Sequence, residues 1–134
     1  MKYTLLYLFP LISMLMACQS ISPIFVDFNG VRRDVAQWIN KQPLLSMQQK
    51  RSLVQLSKAQ QKLYRIDEIE QQQRFDISKE NAIAMHCAQQ HVSAKKIQQL
   101  QAHIFQLQDK DYILTTFEQQ FPKIKLAADQ IQCE

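Results

Sequence analysis

A chain of 134 residues with a formal net charge of +4 has room for one domain and a modest core, since single domains most often run about 100–150 residues. One glycine in the whole chain excludes folds that depend on tight hairpins, and active sites built on glycine elbows or phosphate loops. No run of like charges occurs, so the mild basic excess builds no footprint for nucleic acid.

The N-terminus opens with Lys2 and a 12-residue apolar run from Leu5 to Met16. A charged start and a short apolar stretch are the n-region and h-region of a secretory signal. The run is shorter than the roughly 20 residues a membrane-spanning helix needs, and Pro10 interrupts it. It closes on Leu15-Met16-Ala17-Cys18, which resembles a bacterial lipobox. The resemblance implies export, diacylglyceryl transfer to the Cys18 thiol, cleavage before Cys18 and acylation of the new amino group. An ordinary signal peptide with a chance cysteine is the alternative. Removing residues 1–17 leaves 117 residues, with 15 basic against 12 acidic side chains once Lys2 is gone. Gln19 stands where aspartate would resemble an inner-membrane retention signal. The outer membrane, periplasmic face, is therefore the expected address, which itself excludes nucleic acid.

Export changes how the remaining cysteines read. Cys87 and Cys133 form an even pair in an oxidising compartment, and a bridge between them is expected to add roughly 4 kcal/mol by loop entropy. Two buried thiols are the alternative.

The expected layout is a signal peptide over 1–17, a lipidated cysteine and tether over 18–30, and a periplasmic domain over 31–134. Residues 19–28 extend no more than about 35 Å, so the domain stays close to the membrane. The 22 glutamines are spread among apolar residues at helical spacing, against a low-complexity reading. The domain reads as an all-α, single-domain bundle of about five helices. A first helix over about 31–41 puts Val31, Val35, Trp38 and Ile39 on one face, with Asp27 or Asn29 as its cap. Ser46 and Gln49 form a capping box for a helix over about 47–73, which turns Leu53, Leu56, Leu63, Ile66 and Ile69 inward. Ile77-Ser78 starts a third helix, with Ile83 and Cys87 inward. Val92-Ser93 starts a fourth, with Val92 and Ile97 as a hydrophobic staple and Leu100, Ile104 and Leu107 following. A fifth begins near Asp109 or Asp111 and buries Ile113, Leu114, Phe117 and Phe121. Beyond Pro122, a short amphipathic helical segment is expected to run to Cys133. The starts at Ser46 and Ser93 share an apolar-Ser entry and a leucine seven residues on. They are either an internal pseudo-repeat or convergence on capping chemistry.

Leu45-Ser46-Met47-Gln48-Gln49 is similar to the Leu-Thr-x-x-Gln motif of periplasmic helical proteins of the Spy/CpxP type. That family includes envelope-stress proteins, some acting as ATP-independent chaperones and some modulating a sensor kinase. The match covers five residues, with Ser for Thr, and Leu114-Thr115-Thr116-Phe117-Glu118 is a degenerate second copy. Together with Trp38-Ile39, the motif also resembles a group of proteobacterial helical lipoproteins, which implies an address and a fold but no activity.

Chemistry-bearing residues are sparse. His86, Cys87, His91 and His103 are the metal candidates, but His86 and His91 stand about 140° apart on a helix, so no metal site is assigned. Asp67, Glu68 and Glu70, flanked by Arg65 and Arg74, read as a solvated helix face. Arg32-Arg33 reads as a solvated first turn, with lipid headgroup contact as the alternative. No catalytic residue, cofactor or small-molecule substrate is expected. The reading is a lipid-anchored, non-catalytic envelope protein: a periplasmic interaction or scaffold module with a protein partner. A chaperone or stress-sensing module is the alternative, and a metal-binding lipoprotein a minor one.

Overall fold

The structure, a computed structural model, describes residues 30–134 and the backbone of Asp27–Phe28. The lipobox, Cys18 and most of the tether lie outside the described residues. Strands β1 (Asp27–Phe28) and β2 (Val31–Arg32) pair antiparallel and turn at Gly30, whose φ of +78° suits the one residue without a Cβ. Helices α1 (Arg33–Asn40), α2 (Met47–Gln61), α3 (Gln71–His91), α4 (Ala94–Ile104) and α5 (Lys110–Gln120) follow. Among the described residues the fold is an all-α bundle of five helices.

Helix α2 is the hub, packing chiefly on α3 and also on α1, α4 and the hairpin. Val35, Ile39, Leu53, Leu56, Leu63, Leu100, Ile104 and Phe105 are essentially sealed from solvent. Both helices of this pair bury small residues, Ser52, Ser57 and Ala59 on α2 and Ser78, Ala84 and Ala88 on α3. Asn81 spans this interface, its Nδ2 donating to the carbonyls of Ala59 (3.1 Å) and Ile77 (3.0 Å).

Several boundaries differ from the sequence reading. Helix α2 ends at Gln61, not near 73. Leu63, Ile66 and Ile69 follow at intervals of three, which is also the repeat of a 3₁₀ helix. The chain takes that option, with a 3₁₀ turn over Ile66–Glu68, and all three side chains stay buried. Helix α3 therefore starts at Gln71. Ile77-Ser78 is not a helix start but lies inside α3, with Ser78 buried. Helix α1 starts behind Arg32, whose own side chain makes no cap hydrogen bond; the expected caps, the side chains of Asp27 and Asn29, lie outside the described residues. Leu107 is exposed, because α4 stops at Ile104 and Phe105 takes the inward place. Beyond Pro122 the chain is largely extended, with only a 3₁₀ turn over Ala128–Gln130 rather than an amphipathic helix.

Candidate functional site

Ser46 caps α2 in the expected reciprocal way. Gln49 N donates to Ser46 Oγ (3.2 Å) and Ser46 N donates to Gln49 Oε1 (2.8 Å). The other end of the same carboxamide, Gln49 Nε2, donates to the carbonyl of His91 (2.9 Å) at the close of α3. The motif is thus a joint between two helix ends, immediately before Ser93 caps α4 through the N–H of Lys96 (3.2 Å).

Two more glutamines of α2 work alike. Gln61 Oε1 accepts from Arg32 N (2.8 Å) while its Nε2 donates to Gly30 O (2.9 Å). Gln55 Nε2 donates to Gln132 O (2.8 Å) while its Oε1 accepts from Glu134 N (3.2 Å). In both cases the carboxamide meets an extended segment as a neighbouring strand's peptide group would. Gln61 pins the hairpin and Gln55 pins the C-terminal segment.

The C-terminal segment is also closed covalently: Cys87, buried in α3, is bridged to Cys133 with Cα atoms 5.6 Å apart. Lys58 Nζ pairs with Glu134 at 3.0 Å, and Lys62 pairs with Glu80. Between these pairs lies an open groove of about 650 Å³, lined by Lys58, Lys62, Glu80, Ile83 and Gln132.

Arg32 is not solvated but buried, at 7% exposure, a correction to the sequence reading. Its Nη2 donates to His103 O (2.8 Å) and Asp34 Oδ2 (2.9 Å). Its Nη1 donates to Ile104 O (3.1 Å) and to the Tyr64 hydroxyl, which itself donates to Ile104 O (2.6 Å). His103 and Ile104 end α4, where carbonyls lack helical partners and the dipole favours a cation. Burial by itself would lower the Arg32 pKa, but the Asp34 hydrogen bond and neighbouring negative charge win, and it is raised. Burial likewise pushes Asp34 up, yet Arg32 outweighs it and holds the carboxyl below its ordinary value. Burial raises the Tyr64 hydroxyl, against the pull of Arg32. The sequence offered no signal for this hub, because its carbonyl partners lie 71 and 72 residues away.

The remaining candidates are scattered. His86 meets Gln90 (2.9 Å), and His103 packs on the half-buried Trp38 at 4.7 Å, with Lys96 over the same indole. Asp67 accepts from Tyr112 (2.7 Å) and raises its pKa, and Glu68 pairs with Arg65 (2.8 Å). Among the described residues no three His, Cys, Asp or Glu side chains converge as metal ligands, and no helix is long and apolar enough to cross a membrane. The arrangement defines a glutamine-pinned, disulfide-clamped helical bundle. The chain matches no protein-family model, no curated protein and no solved structure.

Proposed function

We propose that this is a lipid-anchored, non-catalytic envelope protein acting as a periplasmic interaction or scaffold module at the outer membrane. The observation that carries the reading is Leu15-Met16-Ala17-Cys18 at the end of a short apolar segment, 12 residues ahead of Gly30, where the described bundle begins. The Cys87–Cys133 bridge supports it, since such bridges persist in oxidising compartments. Gln19 after Cys18 supports the outer membrane.

The chaperone alternative draws no support from its motif, since Ser46 and Gln49 are occupied in a cap and a helix joint. Labelled palmitate fed to cells should enter the wild-type chain and not Cys18→Ser, which should accumulate as precursor. Palmitate on that variant overturns the anchor. In-cell crosslinking from surface positions is the route to the partner, and an aggregation-suppression assay at stoichiometric amounts should show no client protection.

A further inference from the structure

The corner between α1 and α2 carries a feature the fold does not need. Leu44 has φ +67° and is fully exposed, while its neighbour Leu45 packs on the core. A left-handed leucine is costly, and here the conformation turns an apolar side chain outward. Met47, 66% exposed, stands beside it at the first position of α2. Lys50 and Arg51 follow at i+3 and i+4 from Met47, one face of the helix. Lys50 Nζ donates to Asn40 O (2.9 Å), which brings the end of α1 and the adjoining Lys41 to the same corner. Among the described residues no carboxylate pairs with Lys41, Lys50 or Arg51; the ion pairs of α2 and its flank go to Lys58, Lys62 and Arg65. The sequence between Asp34 and Asp67 holds six basic residues and no acidic one.

We infer that this corner rests on an anionic lipid surface, with Leu44 and Met47 entering the headgroup boundary and Lys41, Lys50 and Arg51 meeting the phosphates. Two exposed apolar side chains rimmed by cations that no carboxylate neutralises fit such a surface. A protein partner would need carboxylates to match the same rim. The inference rests on the anchored reading, and chain length allows it. Gly30 lies against Lys58, 11 residues along α2 from Met47, about 16 Å at 1.5 Å per residue. The 12 residues from Cys18 to Gly30 reach about 40 Å extended. Arg32, buried at the end of α4, takes no part in such a surface.

The test uses the chain from position 18 onward carrying Cys18→Ser, which has no acylation site. Every described core residue lies between Val31 and Phe121, so this chain keeps the whole core. It should co-sediment with phosphatidylglycerol-containing vesicles, release with salt, and ignore phosphatidylcholine vesicles. Leu44→Ser/Met47→Ser should weaken binding at least tenfold, with an unchanged thermal midpoint or a higher one. Lys41→Gln/Lys50→Gln/Arg51→Gln should weaken it about a hundredfold, near fivefold per charge. Equal binding to both vesicle types, or variants that bind like wild type, overturns the inference. So does a wild-type dimer that Leu44→Ser/Met47→Ser dissolves, because a second copy would then cover the corner. Palmitate labelling reads the anchor separately. A labelled protein whose unacylated form ignores vesicles keeps its anchor and loses this face.

Discussion

Replacing Arg32 should do more damage than any other single polar change in the described domain. Arg32→Ala removes four side-chain partnerships, to Asp34, Tyr64, His103 O and Ile104 O, from a site with 7% exposure. Breaking a buried charged network costs about 3–5 kcal/mol. Asp34 is 35% exposed and can turn to water, and Ile104 O keeps the Tyr64 hydroxyl, so the lower end applies, about 3 kcal/mol. For a domain near 100 residues this lowers the melting temperature by roughly 12 °C or more. Arg32→Lys keeps a charge but not the planar fork that serves two carbonyls and a carboxylate at once, and should lose about 2 kcal/mol. Thermal and urea unfolding with the disulfide intact measure both variants. The pH dependence adds a second readout. Asp34 has a folded pKa below its unfolded one, so its contribution is full above the ordinary carboxylate range and is lost as pH falls through the folded value. That acid-limb loss should shrink in Arg32→Ala. A loss under 1 kcal/mol, or an Arg32→Lys as damaged as Arg32→Ala, would refute the hub.

Leu44→Gly should raise stability by about 1 kcal/mol, because glycine takes the left-handed conformation without a Cβ clash and no packing is lost; a lowered melting temperature contradicts this. Reducing the Cys87–Cys133 bridge, or replacing both cysteines by alanine, should cost roughly 4 kcal/mol on the loop-entropy account, read as a lower urea midpoint. Ser46→Ala should cost about 1 kcal/mol as a lost cap, and Gln49→Ala more, about 2 kcal/mol, because it also abandons His91 O. Equal losses in urea unfolding would show that the reach to α3 contributes nothing.

Helix starts were legible where a side chain announces them. Ser46, Ser93 and Asp109 each accept from the N–H three residues on, and each stands at or beside the expected start. The start of α3 was not legible, because Glu70 caps nothing with its side chain and the helix begins in a run of glutamines. The break before it contains no glycine or proline, and a spacing of three fits both an α-helix and the 3₁₀ turn that forms. Phe105 was missed and Leu107 misplaced for one reason: a periodic pattern does not say where its helix stops. Arg32 lay beyond sequence reasoning since backbone carbonyls, its main partners, carry no residue identity. The basic corner was visible as an acid-free span, but only the fold gathers Lys41, Lys50 and Arg51 on one side.

The three pinning glutamines have a consequence for durability. A carboxamide carries no charge, so neither salt nor acidity alters its grip on the hairpin, on the end of α3 or on the C-terminal segment. Its weakness is chemical ageing. Deamidation of Gln49, Gln55 or Gln61 keeps the shape of the side chain but turns its donor into a second acceptor, set against the carbonyls of His91, Gln132 or Gly30. A single such event would replace an attraction by a repulsion at a fixed seam, so an old molecule would open first where a young one is tied.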